Sequence, residues 1–230
     1  MPGRSKLVST SATLRVLAAL LSYPDVGMRG HLSEMREILR GESVLFDARR
    51  AEIDALIVSL ARADPLETEA NYVELFDRGR GTSLHLFEHV HGDSRDRGPA
   101  MIDLAQTYEK AGLYLGLGEL PDYLPAVLEF VSTQPPPEAR AFLREMAHIF
   151  NAIFGSLQQR ASPYASVLGA LLELAGEKAQ AVTPAAEQPL DESWAEPLVF
   201  DGCSSKGQAR PGQPQPIHIV RKSANPGVAT

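Results

Sequence analysis

An all-α bundle is the fold class this sequence predicts, and three observations carry it. Apolar residues recur at three- and four-residue spacing along most of the chain from Leu14 to Ala175. No segment alternates apolar and polar residues over a useful length, and no Val/Ile run bounded by turns suggests βαβ units. Proline and glycine interrupt the helical pattern where helices should end. With 230 residues, 44% of them apolar, the chain can bury a sizeable core. A bundle of about eight to ten helices follows.

The first stripe is Leu14, Leu17, Leu20 and Leu21, after a Ser/Thr-rich start that supplies an N-cap, and Tyr23-Pro24-Asp25 stops it. Leu32, Met35, Ile38 and Leu39 form a second, ended near Gly41; Ile53, Leu56, Ile57 and Leu60 form a third. Asp64 then caps a fourth helix with Pro65 at its first position. Leu66, Ala70, Val73 and Phe76 are expected to share one face of it. After a Gly/Arg turn at Arg78 to Gly81, a short helix is expected from Ser83 to His91. Gly98-Pro99 opens the next, with Ile102, Ala105 and Tyr108 in register. Asp122 is placed to cap a helix carrying Leu124, Val127, Leu128 and Val131. Past the break at Pro135 to Pro137 runs the longest pattern: Ala139, Phe142, Met146, Ile149, Phe150, Ile153 and Leu157. Ser162-Pro163 opens a last helix through Leu168, Leu171, Leu172 and Ala175.

This reading divides the chain into a flexible start at 1–8, a helical domain at 9–182 and a Pro/Gly-rich tail at 183–230. Seven of the 17 prolines lie beyond Thr183, so the tail is expected to be extended and partly disordered. Two apolar islands interrupt it, Trp194 to Phe200 and Ile217 to Val220. They either fold back on the bundle or dock a partner.

Lys plus Arg total 22 against 29 Asp plus Glu, a formal charge of −7, which argues against general nucleic-acid binding. The same negative field would attract a basic peptide. Cys203, the single cysteine, rules out an internal disulfide and a Cys-rich zinc site. No apolar window reaches membrane-spanning length and no secretory signal is apparent, so direct membrane insertion is not expected and a cytoplasmic setting is.

The densest polar chemistry lies between Asn71 and Phe130. His85 and His89 are four apart, with His91 and Asp93 close behind. One reading is a metal-dependent hydrolase built on His85, His89, His91 and Asp93. The other is a hydrogen-bonded surface in which these histidines meet neighbouring acids. Gly79-Arg80-Gly81-Thr82-Ser83 resembles a phosphate-cradling turn loosely, without the Gly-Lys-Ser/Thr ending of a P-loop. No nucleophile constellation is present, which favours a binding protein over an enzyme, with no cofactor of its own. Tyr72, Leu75 and Phe76 suit either a packed core or the wall of a groove for a peptide helix.

Several of these runs resemble one family. They are Tyr72-x-x-Leu75-Phe76, the stretch from Phe87-Glu88-His89-Val90-His91-Gly92-Asp93 through Ser94-Arg95-Asp96-Arg97-Gly98, Glu119-Leu120-Pro121-Asp122-Tyr123 and Leu128-Glu129-Phe130. In the tail, Trp194-Ala195-Glu196-Pro197 and Pro214-Gln215-Pro216-Ile217 add to the set. Together they resemble the assembly chaperones of respiratory nitrate reductase, the NarJ (delta subunit) group of the TorD/DmsD-like family. The resemblance extends over most of Leu14 to Ala175 and implies a TorD-like single helical bundle. It further implies a chaperone that binds the N-terminal leader of the nitrate reductase catalytic (alpha) subunit. That subunit would be held until the molybdenum cofactor is inserted and the complex assembles. Molybdenum cofactor biosynthesis proteins are further expected partners.

On this resemblance a basic, amphipathic leader would enter a groove walled by Tyr72, Leu75, Phe76, Phe87 and Tyr123. Its charges would meet Glu88, Asp93, Glu119 and Asp122. Arg95 and Arg97 would position those acids, and His89 or His91 would tune release by protonation. The broader family carries Glu-x-Pro-Asp-His where this chain ends in Tyr123, which removes an imidazole at that position.

Overall fold

The computed structural model describes residues 10–42, 44–92, 94–116 and 118–180. The start at 1–8 and the tail at 183–230, with its two apolar islands, lie outside them. Among the described residues the chain forms eleven α-helices. These are α1 (Ser11–Leu21), α2 (Val26–Gly30), α3 (Leu32–Gly41), α4 (Asp47–Arg62), α5 (Pro65–Phe76), α6 (Leu86–Val90), α7 (Arg97–Lys110), α8 (Leu124–Ser132), α9 (Pro136–Glu145), α10 (Ala147–Gln159) and α11 (Ala165–Ala175). A single 3-10 turn at Arg80–Thr82 links α5 to α6. The one β-type pairing among these residues is an antiparallel bridge between His85 and Tyr123. No described helix is long and apolar enough to cross a membrane.

The helix α1 is central. Leu14, Leu17, Leu20 and Leu21 are fully buried, and Val16 and Ala18 nearly so. It packs mainly against α8, while α10 packs against α11. These four helices bury Leu124, Val127, Leu128, Phe150, Ile153, Leu157, Leu168 and Leu171. Each such side chain contributes about 1.5–3 kcal/mol by leaving water, offsetting the conformational entropy of an ordered chain.

Carboxylates from elsewhere in the chain finish several helix starts. Thr10 occupies the N-cap of α1, yet its side chain makes no capping bond. Glu42, just past α3, accepts from Thr13 N–H at 2.8 Å and from the Thr13 hydroxyl at 2.7 Å. Glu173 of α11 likewise accepts from the backbone N–H of Phe46 at the start of α4. Where the cap is local, the expectation holds: Asp64 accepts from Glu67 N–H at 3.1 Å, with Pro65 opening α5. At the other end of the chain, Gly176 closes α11 in the left-handed conformation, at φ 81°, and Glu177 N–H reaches Leu172 O at 2.9 Å.

Three expectations need correction. The buried face of α5 is Thr68, Tyr72 and Phe76, while Leu66 is 76% exposed and Ala70 is also on the surface. The long apolar pattern after the triple proline is two helices, α9 and α10, interrupted at Met146. On α7 only Tyr108 is buried, and Ile102 is exposed. The break at Met146 and the short α2 raise the helix total above the expected range.

Candidate functional site

The polar segment is stitched to the loop before α8. Leu86 N–H donates to Asp122 O at 3.0 Å, and Leu124 N–H donates to Leu84 O at 2.9 Å. This pairing places the fully buried side chain of Asp122 under the start of α6. Its Oδ2 accepts from Phe87 N–H at 3.2 Å, and His85 Nδ1 lies 3.3 Å from Oδ1. The Arg97 guanidinium approaches Oδ2 at 3.6 Å and Glu88 at 3.5 Å. Asp122 therefore caps α6, not α8 as expected: the N-cap position of α6 is His85, whose side chain makes no capping bond. A buried carboxylate is tolerated because these donors replace its water.

Tyrosines extend the network inward. The His85 ring lies 5.4 Å from that of Tyr123. The Tyr123 hydroxyl meets the Tyr72 hydroxyl at 3.2 Å, and Tyr72 donates to Leu21 O at 2.6 Å. Tyr108 donates to Pro121 O at 2.8 Å, fixing the other side of the loop. Burial pushes the phenols of Tyr72, Tyr108 and Tyr123 above their ordinary range, so they stay protonated. Tyr123 thus contributes a hydroxyl to an internal chain where the broader family's pattern has an imidazole.

The hydrogen bond to Asp122 raises the proton affinity of His85; burial opposes it, Asp122 and Glu88 charges add to it, and Arg97 opposes it. A raised folded-state pKa contributes stability that is fully present below the unfolded value, about 6.5. That contribution is lost as pH rises through the folded value. His85→Gln should therefore destabilise the chain more at about pH 5 than at about pH 9. Denaturation midpoints of both proteins across that range test it, and a pH-independent difference would contradict it.

The residues expected to wall a peptide groove fall into three groups. Glu88, Arg95 and Glu119 are exposed, and Leu75, Phe87, His89, His91, Arg97 and Tyr123 are partly buried. Tyr72, Phe76 and Asp122 are buried; Asp93 lies outside the described residues. Tyr72 and Phe76 stack with Tyr164 inside the bundle, with Phe76 5.1 Å and Tyr72 6.3 Å from that ring. Their core role is the observed one.

The imidazoles diverge. His85 turns to Asp122, His89 Nε2 lies 2.9 Å from Ser83 O, and His91 meets the Phe87 ring at 5.4 Å. No three metal-ligating side chains converge among the described residues. The Gly79 turn is also packed: Thr82 is buried and its hydroxyl bonds to Leu75 O and Gly79 O.

The grooves lie elsewhere. One of about 760 Å³ runs between α9 and α11, lined by Val44, Pro137, Arg140, Leu143 and Leu174 among others. A second, about 400 Å³, includes Tyr114, Leu115, Glu119 and Phe130. A third, about 390 Å³, lies on α5 beside Tyr23. Of the expected groove residues only Glu119 lines any of these three.

Comparison with known proteins places this arrangement. A family model described as nitrate reductase delta subunit matches residues 45–168, which include the polar segment and Asp122. The chain belongs to the nitrate reductase delta subunit family. It is 41% identical over 199 residues to the nitrate reductase molybdenum cofactor assembly chaperone NarJ of Escherichia coli K12, covering 81% of this chain and 83% of that one. It is 34% identical over 171 residues to the nitrate reductase-like protein NarX of Mycobacterium tuberculosis, covering 73% of this chain and 25% of that longer protein. The fold is shared with a crystal structure from Archaeoglobus fulgidus described as a candidate redox enzyme maturation protein. That match has a TM-score of 0.54 at 19% identity and covers 77% of this chain and 97% of the other. The fold of this chain is thus the helical bundle that the sequence periodicity predicts.

Proposed function

We propose that this chain is a cytoplasmic assembly chaperone for a nitrate reductase. It binds the N-terminal leader of the catalytic subunit and holds that subunit while the molybdenum cofactor is inserted. The observation that carries this reading is the 41% identity to NarJ across most of both chains. The fold is compatible with such work. A bundle with a tightly bonded interior and apolar surface grooves offers binding faces without rearranging its core. Molybdenum cofactor biosynthesis proteins are the further partners this role requires. The cofactor is cargo in this scheme and belongs to the reductase.

Among the residues first expected to meet the leader, Glu88, Arg95, Arg97, Glu119, Phe87 and His91 remain accessible. Calorimetric titration of the full chain with a synthetic peptide of the catalytic subunit's N-terminus tests the reading. Saturable binding, with the peptide recovered unchanged by mass, is expected. Absence of binding would overturn it.

A further inference from the structure

Among the described residues, one face of α5 has no packing partner, although its sequence is written like a buried face. Leu66, Ala70 and Val73 stand at i, i+4 and i+7, the spacing of a packing stripe. Yet Leu66 is 76% exposed, Ala70 is on the surface and Val73 is partly buried. A further apolar side chain, Tyr23, 43% exposed, lines the same groove. Arg29 holds α2 against α5 by donating to Thr68 Oγ1 at 3.0 Å and Ala63 O at 2.7 Å. Single exposed apolar residues are ordinary, but a grooved group of them marks a contact surface.

The rim is acidic. Glu69 and Glu74 line the groove, and Tyr23 donates to Glu69 at 3.0 Å. Asp25 and Asp77 are near enough, with Glu69, to raise the proton affinity of the Tyr23 phenol, the Glu69 hydrogen bond acting most. Of the nearby cations, Arg78 is paired with Glu74 at 3.0 Å, and Arg29 is turned toward Thr68 and Ala63. An apolar ligand with flanking positive charge fits this surface better than an acidic one.

We propose that the Tyr23/Leu66/Ala70/Val73 face docks a basic amphipathic helix, and that the occupant is the catalytic subunit's leader. This rests on the proposed chaperone function and gives it a location. The ladder from Leu66 to Val73 spans about 10 Å, enough to seat about two turns of ligand helix. Apolar side chains of the ligand fill the groove between Leu66 and Val73. Its Lys or Arg groups reach Glu69 and Glu74 at the rim, where salt screens them.

The test is the same calorimetric titration, run on the full chain with Leu66→Glu, Glu69→Lys and Phe46→Ser. Leu66→Glu should weaken binding of the leader peptide by about tenfold or more. Glu69→Lys should weaken it severalfold and reduce its salt dependence. Phe46→Ser, an exposed apolar position outside this groove, should leave affinity unchanged. All three should melt within about 3 °C of wild type, because each changes a surface side chain. Wild-type binding that survives both Leu66→Glu and Glu69→Lys would overturn the docking face and leave the chaperone reading standing. Failure of the wild type to bind would remove both. A wild-type dimer that Leu66→Glu splits would make this a self-association surface and overturn the proposal.

Discussion

Asp122→Ala should destabilise the folded chain by about 3 kcal/mol, the cost of removing one partner from a buried, hydrogen-bonded charge group. The carboxylate is fully buried and receives Phe87 N–H, with His85 at 3.3 Å and Arg97 at 3.6 Å. Removing it leaves the first turn of α6 with an unsatisfied N–H and takes away the carboxylate that His85 and Arg97 face. Asp122→Asn should cost less, since the amide oxygen still accepts from Phe87. Chemical denaturation of the three proteins measures the order, wild type above Asn above Ala. If alanine at this position left stability intact and abolished leader binding alone, Asp122 would be a peptide contact and not a structural cap.

Phe76→Ala carries the other large effect, a loss of about 3–5 kcal/mol. The ring is 4% exposed and lies 4.8 Å from Tyr72 and 5.1 Å from Tyr164. Truncation opens a cavity among side chains already fixed by hydrogen bonds, including Tyr72 to Leu21 O, so little collapse can refill it. Phe76→Leu keeps most of the volume and should cost about half as much. A denaturation midpoint unchanged by Phe76→Ala would place the ring at an open groove, contrary to its position here.

The helices whose limits are set locally were legible in the sequence. Asp64-Pro65 opens α5, Gly41 closes α3, and the prolines before α9 mark its start, because capping and proline geometry act within a turn of the residue concerned. The break at Met146 was not legible. Neither glycine nor proline stands there, and the apolar spacing runs through it without a gap. The caps supplied by Glu42, Asp122 and Glu173 were hidden for a different reason. Each carboxylate serves a helix start 29 to 127 residues away in the sequence, a distance local patterns do not span.

The candidate site was partly legible. The density of polar residues between Asn71 and Phe130 did mark a bonded network, and Asp122, Tyr123, His85 and Arg97 are members of it. Spacing alone could not separate a wall of aromatic residues from a core, so Tyr72 and Phe76 needed the packing of α5 against Tyr164 to be assigned. The same rotation of α5 that buries Tyr72 exposes Leu66 and Ala70. Periodicity found the apolar ladder without showing that it faces outward.

The most direct test of the chaperone role is the molybdenum content of nitrate reductase purified from cells with and without this chain. The expected result is a catalytic subunit deficient in molybdenum when the chain is missing, restored to full occupancy when it is supplied. Full molybdenum occupancy and nitrate-reducing activity in its absence would contradict the account.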